Sequence, residues 1–289
     1  MSRQKLTIVV TCTGRKSATP AHNMMARNLP AGHVDMRARA WTQELVRTQP
    51  TTPLLQLYQG ESWSQVKRLI TTAREVGYEP EVLVASAGLG LRSVLDLAPA
   101  YAATFSAGHE DTVAPSIKEA QEWWHSLPHI ASMGPGRSVW VLSENYSRVI
   151  AADLIDRFTS DELLVFGGSN EIPNHARISS DRSLRRALGG TVTSLNVRMA
   201  IQWLLLSRGS GAFSPHANAS WLEWTNRERH REIYTRQQLS DDEVLDFVTA
   251  LQNRSPGIPK TSALKSLRES GFACEQGRFS TLFQKVATS

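Results

Sequence analysis

Short apolar runs alternate with stretches of helical periodicity through residues 6–206, and this alternation is the strongest constraint on the fold. The runs are predicted strands at Leu6–Val10, Glu81–Ala85, Ser138–Ser143 and Leu163–Phe166. Helical spacing is clearest from Ser62 to Val76, where apolar side chains recur at steps of three and four. A helix between two strands carries the chain back to the end of the sheet where the first strand began, so the two strands run parallel. We therefore predict an α/β domain with a mostly parallel sheet and helices on both faces.

The remaining helices and the domain organisation follow from periodicity and composition. Further helices are predicted at Val34–Arg47, Ser116–Ser126, Tyr146–Phe158, Leu195–Leu206, Leu222–Leu239, Asp241–Gln252, Thr261–Glu269 and Cys274–Val286. Residues 207–220 are rich in Ser, Gly, Ala and Asn, which indicates a linker. Gly271 separates the last two helices, and such a bundle of short helices resembles a helix-turn-helix. The predicted organisation is a catalytic domain over 1–206, a linker over 207–220 and a helical, DNA-binding domain over 221–289.

Composition excludes several classes of protein. The 289 residues are 41% hydrophobic and 20% charged, which suits a folded core rather than a disordered chain. No apolar run approaches the roughly 20 residues that span a bilayer, and the N-terminal run is too short for a secretory signal. Cys12 and Cys274 have no partners at zinc spacing and cannot form a disulfide framework. We expect a cytoplasmic protein without a bound metal or a membrane partner.

The basic residues are concentrated in three segments. Residues 1–47 contain eight Lys or Arg against two acids, residues 173–209 six Arg against Asp181, and residues 254–289 six Lys or Arg against two acids. If the fold brings these segments together, they form a surface for a polyanion such as nucleic acid. Three separately solvated faces are the alternative.

Polar or glycine-rich loops follow the predicted strands. They cover Thr11–Lys16, Ser86–Arg92, Ser143–Tyr146 and Gly167–Asn170. In an open parallel sheet, ligands bind outside the carboxyl ends of the strands. The first loop combines small residues with Arg15 and Lys16, a pattern that favours phosphate binding. No loop has the glycine spacing of a nucleotide-binding motif, so we predict no cofactor.

Three segments carry a resemblance to known proteins. Cys12-Thr13-Gly14-Arg15-Lys16 resembles the opening motif of bacterial proteins related to the peroxide-stress YaaA-like and Cys-x-x-Lys/Arg-Lys families. The segments 57–63 and 84–91 are similar to their Tyr-x-Gly-x-x-Trp and Ser-Ala-x-x-Gly-Leu motifs. The resemblance implies the uracil-DNA-glycosylase-like fold over about residues 6–206. Members of that fold encoded beside phage-defence genes act as DNA glycosylases on hypermodified bases. This chain has Thr13 where Ser or Gly is usual and lacks the two motifs of uracil-excising enzymes.

Glycosylase chemistry needs a particular set of groups. A carboxylate stabilises the oxocarbenium-like state, and we rank Asp111 first and Glu61 second, with Asn145 as a further catalytic candidate. The predicted substrate contacts are Cys12, Thr13, Gly14, Arg15, Lys16, Tyr58, Trp63, Ser86, Ala87, Gly88, Ser143, Glu144, Ser169, Asn170 and Asn196. Among these, Tyr58 and Trp63 would stack on an extruded base, although both also fit an apolar core. The predicted DNA contacts of the tail are Lys260, Lys265, Gln276, Arg278 and Ser280.

The sequence thus predicts a DNA glycosylase that hydrolyses the N-glycosidic bond of a flipped, modified base, with hypermodified cytosine of phage DNA as the favoured substrate. Its partner would be double-stranded DNA carrying that base. Two alternatives stay open: a non-catalytic DNA-binding stress or defence protein of the same fold, and a base-exchange or lyase enzyme of RNA modification. A mechanism through a lysine Schiff base also stays open, with Lys16 as the candidate. The oligomeric state is not predicted.

Overall fold

The computed structural model describes residues 3–129, 133, 136–155, 162–230 and 236–287. The chain forms two compact units, unit 1 within residues 1–230 and unit 2 within residues 231–289. The strands are β1 (Gln4–Thr11), β2 (Thr52–Pro53), β3 (Tyr78–Ser86), β4 (Gly90–Ser93), β5 (Leu97–Ala98), β6 (Ser138–Leu142), β7 (Leu163–Gly167), β8 (Arg177–Ile178), β9 (Gln237–Gln238) and β10 (Phe272–Ala273).

The helices contain most of the segments predicted to be helical. They are α1 (Val34–Arg47), α2 (Leu54–Leu57), α3 (Glu61–Glu75), α4 (Ile117–Ser126), α5 (Glu144–Val149), α6 (Ala151–Ile155), α7 (Arg185–Leu188), α8 (Leu195–Leu206), α9 (Pro215–Glu228), α10 (Asp241–Arg254), α11 (Lys260–Glu269) and α12 (Gln276–Ala287). The predicted helix Tyr146–Phe158 is divided into α5 and α6, and its residues 156–158 lie outside the described part of the chain. Within the described residues, no helix is both long and apolar enough to cross a bilayer.

Unit 1 is built on a six-stranded sheet with the order β4-β3-β1-β6-β7-β8. All neighbouring pairs are parallel except β3 and β4. In register, Val9 of β1 lies between Leu83 of β3 and Trp140 of β6. The predicted α/β class with a mostly parallel sheet is therefore confirmed. The chain proceeds from β1 to β3 on one side and from β6 to β7 on the other, so the strand order reverses between the parallel neighbours β1 and β6. Open α/β sheets bind ligands at such a switch point.

Helices cover the faces of the sheet. All five residues of β6 are buried, as expected when both faces of a parallel strand are covered. Helix α3 packs against β3 and α8, and its buried stripe includes Trp63, Val66 and Leu69. Gly60 precedes this helix at a φ of 100°, a conformation that favours glycine. Helix α1 packs against α4.

The predicted linker over 207–220 is wrong, because this segment belongs to the core of unit 1. The Trp203 indole donates to the Ala212 carbonyl at 2.8 Å, and Ala212 donates its amide to the Tyr78 hydroxyl at 2.8 Å. Ala217 is buried in α9, which begins inside the predicted linker. Glycines in this segment form tight turns, with φ of +85° at Gly209. The division between the units therefore lies at residues 230/231, not near 206–221.

The predicted exposed helix Leu222–Leu239 also differs from the structure. Helix α9 starts earlier, at Pro215, ends at Glu228, and buries Trp221 and Thr225. The Trp221 ring lies 5.7 Å from the Trp203 ring, so this helix packs onto α8. Residues 231–235 lie outside the described part of the chain. The buried face of α9 was missed because only one of its buried residues, Trp221, is a large apolar side chain, the others being Ala217 and Thr225.

Unit 2 has its own small core. Helices α10, α11 and α12 enclose Val244, Val248, Leu267 and Phe279, each fully buried. Ser240 is the N-cap of α10, and Glu243 completes a capping box with it. Strands β9 and β10 pair in parallel beside these helices. The three short helices are those predicted, with bounds shifted by at most two residues.

Candidate functional site

The carboxyl ends of β1, β3, β6 and β7 lie side by side, and we call the loops that follow them the carboxyl edge. Three contacts join these loops. The Cys12 amide donates to the Ala85 carbonyl at 3.0 Å, and the Cys12 sulfur lies 3.0 Å from the Tyr146 hydroxyl. The Ser169 amide donates to Ser147 Oγ at 2.6 Å. Cys12 and Tyr146, which follow β1 and β6, are thus in contact at the point where the strand order reverses.

Two long helices also begin at the carboxyl edge. Asn196, in the first turn of α8, donates its side-chain amide to the Leu142 carbonyl at 2.9 Å, at the end of β6. The start of α3 lies beside α8, because Ser62 Oγ donates to the Thr193 carbonyl at 3.4 Å. The Gln59 amide donates to the Arg15 carbonyl at 2.9 Å and ties the start of α3 to the first loop. Helix N-termini carry partial positive charge, so their position here favours an anionic ligand.

A chain of buried hydroxyls lies under the first two loops. The hydroxyl oxygens of Tyr58 and Tyr101 are 2.6 Å apart, and the Tyr101 hydroxyl lies 2.5 Å from Ser86 Oγ. Ser86 Oγ also accepts from the amides of Gly88 and Leu89, at 3.2 and 3.1 Å. Burial raises the pKa of Tyr101 well above its ordinary value, so the phenol stays protonated. The chain is therefore a fixed, neutral hydrogen-bond network.

Gly88 is needed for this packing. A Cβ at Gly88 would lie 2.5 Å from the Tyr101 ring and 3.2 Å from the Trp41 ring. The carbonyls of Ala87 and Gly88 accept from the indoles of Trp123 and Trp41, each at 2.7 Å. The predicted substrate contacts Ala87 and Gly88 therefore shape the loop after β3 from inside the core.

Lys16 is held against the buried tyrosines. Its Nζ donates to the carbonyls of Thr13 and Gly14 at 3.1 and 3.4 Å, and lies 4.2 Å from the centre of the Tyr101 ring. Burial lowers the pKa of the Lys16 ammonium below its usual value, although Cys12 and Asp111 act in the opposite direction. A lowered pKa raises the fraction of neutral amine, which is the form that acts as a nucleophile and proton acceptor.

Asp111 is engaged by an arginine. It is 2% exposed, and its two oxygens accept from Arg27 Nε at 2.9 Å and Arg27 Nη2 at 2.5 Å. Glu110 also pairs with Arg27. This bidentate ion pair accounts for the burial of Asp111, since a buried carboxylate requires a partner. The first-ranked catalytic carboxylate is thus occupied inside the protein, although its charge acts on Lys16.

The other candidate acids are paired as well. Glu61 accepts from Arg198 Nη2 and Thr191 Oγ1, each at 2.6 Å. Burial tends to raise the pKa of Glu61, but these hydrogen bonds outweigh it and hold the pKa below its ordinary value. Glu144 is exposed and pairs with Arg148 at 2.6 Å, within α5. Both acids therefore pair with an arginine of the same unit.

The predicted amide and hydroxyl contacts divide into two groups. The side chain of Asn196 makes two internal hydrogen bonds. Its Oδ1 accepts from Ser180 Oγ at 2.5 Å, and its Nδ2 donates to the Leu142 carbonyl. Ser169 is buried, and Ser143 caps α5. Asn145 is half-buried in the first turn of α5, and Asn170 is exposed after β7. The last two stand at the carboxyl edge with side chains open to a ligand.

Tyr58 and Trp63 are not available for base stacking, and that prediction is wrong. Tyr58 is 0% and Trp63 1% exposed, their rings lie 4.7 Å apart, and the Trp63 indole donates to the Leu55 carbonyl at 3.0 Å. They belong to the core beneath the first loop. Periodicity could not separate these roles, since an aromatic at a helix start fits either.

Two arginines that were not predicted as site residues, Arg182 and Arg186, lie near the carboxyl edge. The segment 181–191 is fastened beside the start of α8, where Arg198 Nη1 donates to the Leu188 carbonyl at 3.0 Å. Arg182 and Arg186 of this segment are exposed, as is Arg15, and none of the three has a side-chain partner in the part of the chain that the structure describes. The sequence signal for Arg182 and Arg186 was the basic segment 173–209.

The candidate DNA contacts of unit 2 make intramolecular contacts. Arg278 of α12 pairs with Asp241 at the start of α10, at 2.7 Å from Nε. Lys260 donates to Ser280 at 2.6 Å and therefore links α11 to α12. Lys265 lies 3.6 Å from Glu269 on an exposed face. Gln276 is the first residue of α12.

Comparisons with protein-family models, with curated proteins and with solved structures found no match for this chain. The relationship to uracil-DNA-glycosylase-like proteins therefore stays a prediction.

Proposed function

We propose that unit 1 is a DNA glycosylase that removes a modified base, with hypermodified cytosine as the favoured substrate. One observation carries the proposal: the buried amine of Lys16 follows β1, at the point where the strand order of the sheet reverses, and exposed arginines lie at the same edge. The arginines and helix N-termini suit phosphates, while the lysine suits chemistry at the sugar. The finer assignment to the uracil-DNA-glycosylase-like fold is part of this proposal and is supported by the parallel sheet.

The polar groups of the edge suit recognition of a base rather than of a cofactor. Thr13 is half-exposed beside the first loop, where its hydroxyl donates to the carbonyls of Arg15 and Gln59. Asn145 and Asn170 offer both donors and acceptors, as needed to read the edge of an extruded base. Base extrusion requires a few kcal/mol, which phosphate contacts on either side of the base would offset.

The helix-turn-helix interpretation of unit 2 remains part of the proposal. Helices α11 and α12 are joined through a turn with Gly271 at a φ of +86°. In such a motif the second helix enters the major groove. Because Arg278 and Lys260 hold the helices together, Gln276 at the start of α12 is the better candidate for a base contact.

The test is base release from defined DNA. Purified full-length protein is incubated with duplexes that contain one glucosylated 5-hydroxymethylcytosine or one unmodified cytosine, and alkali then converts abasic sites to strand breaks. We expect breaks at the modified position only. DNA binding without breaks would support the non-catalytic alternative. Release of a base from transfer RNA in a parallel incubation, with none from DNA, would support the RNA-modification alternative.

The arginines make a separate, quantitative prediction. The double variant Arg182→Gln, Arg186→Gln should bind unmodified duplex DNA more weakly, and the slope of log affinity against log salt should fall by about 1.8, as expected for two lost phosphate contacts. The matched control is Arg68→Gln, Arg74→Gln, which removes two exposed arginines of α3 further along the helix. Equal slopes for both variants would contradict the placement of DNA at the carboxyl edge.

A further inference from the structure

Each of the three candidate carboxylates is paired with an arginine. Asp111 is paired with Arg27, Glu61 with Arg198 and Glu144 with Arg148. A carboxylate that activates water or stabilises a sugar cation must face the substrate, whereas these three already face arginines. The amine of Lys16 lies at the same edge and donates from Nζ to two backbone carbonyls, and no carboxylate among the described residues is in hydrogen-bond contact with it.

We infer that Lys16 is a catalytic nucleophile that forms an imine with C1′ of the deoxyribose, and that the protein therefore also cleaves the strand at abasic sites. The inference rests on the proposed function and extends it by an activity. Three observations carry it. Lys16 lies in the loop after β1, where the strand order reverses. Its Nζ is held over the Tyr101 ring, and the three candidate carboxylates are paired with arginines.

The environment of Lys16 suits this role. The hydrogen-bonded tyrosines beneath it cannot move without breaking the chain to Ser86, so they hold the amine in place. Desolvation lowers the pKa of the ammonium and increases the neutral fraction that can attack carbon. An exposed lysine lacks this desolvation and therefore has a smaller neutral fraction at the same pH.

The bonds balance without a cofactor. The lone pair of Nζ forms a bond to C1′ while the bond from C1′ to the base breaks, and the base leaves with that electron pair. The C1′–O4′ bond then opens as the C1′=N bond forms, and the two amine protons end on the base and on O4′. Loss of a proton from C2′ then expels the 3′ phosphate. At an existing abasic site, the aldehyde and the amine form the same imine and release water.

The test uses DNA with a ready-made abasic site, so it does not depend on the identity of the modified base. Full-length protein is mixed with this duplex and sodium borohydride, which reduces an imine to a stable amine, and a denaturing gel detects the covalent complex. We expect the complex with wild-type protein, loss to background with Lys16→Met and Lys16→Arg, and no loss with the exposed-lysine control Lys67→Met.

A second measurement keeps the inference falsifiable if the Lys16 variants fold poorly. Mass spectrometry of the digested wild-type complex should place the sugar remnant on the peptide that contains Lys16. Trapping at another lysine, or release of modified base without any trapping, would overturn the inference and leave the glycosylase proposal standing. Trapping at Lys16 without release of modified base would instead overturn the proposed base substrate.

Discussion

Gly167→Ala is expected to lower the free energy of unfolding of unit 1 by about 3 kcal/mol, the sum of backbone strain and steric overlap. Gly167 ends β7 with a φ of +86°, and an added Cβ would lie 2.4 Å from the Leu142 carbonyl oxygen. It would also lie 2.1 Å from Nδ2 of Asn196, which cannot move away without losing its bond to Leu142. Urea unfolding followed by tryptophan fluorescence measures the change.

Gly209→Ala is the matched control for that substitution. Gly209 has almost the same φ, +85°, and nothing lies within 4 Å of its added Cβ. It should therefore lose only the backbone contribution, about 1–2 kcal/mol. The difference between the two variants isolates the overlap at the carboxyl edge. Equal losses would show that β7, α8 and the end of β6 are packed less tightly than the distances indicate.

Phe279→Ala should unfold unit 2. The side chain is 0% exposed at the centre of the small core, and truncation of a buried phenylalanine removes about 3–5 kcal/mol. A unit of about 60 residues has little stability in reserve, so this loss is enough to unfold it. Hydrogen exchange measured by mass spectrometry should show fast exchange in peptides from residues 236–287.

Phe283→Ala provides the comparison on the same helix. Phe283 is only half-buried, with its ring 6.0 Å from that of Phe279, and should leave exchange in α10 and α11 slow. If the helix-turn-helix proposal is right, Phe279→Ala also weakens DNA binding more than Phe283→Ala does. Slow exchange throughout unit 2 in Phe279→Ala would contradict the described core.

Much of the fold followed from local patterns. The bounds of α1 and α8 agree with those predicted, and the four predicted strands correspond to β1, β3, β6 and β7, which pair in parallel. These elements are set by periodic burial, which can be read from neighbouring residues. The segment 207–220 shows where this fails, because its Ser and Gly residues suit a linker and a tight turn equally well.

The sequence led to one candidate edge of the sheet, whereas the surroundings of individual residues depended on the tertiary structure. The rule that ligands bind beyond the carboxyl ends of parallel strands led to Cys12, Lys16 and Ser86, and the structure places these three at one edge. The roles of Asp111 and Tyr58 were predicted from residue type alone. Both turned out to depend on partners far away in the chain: Arg27 for Asp111 and Tyr101 for Tyr58.

The difference has a physical cause. Secondary structure and the class of sheet depend on interactions between residues a few positions apart, so the order of amino acids was enough to establish them. Whether a carboxylate faces solvent or an arginine depends on which distant segments meet, and the chain carries no local mark of those meetings. The pairing of every candidate acid and the desolvation of Lys16 emerge only when β1, β3, β6 and the helices around them are packed together.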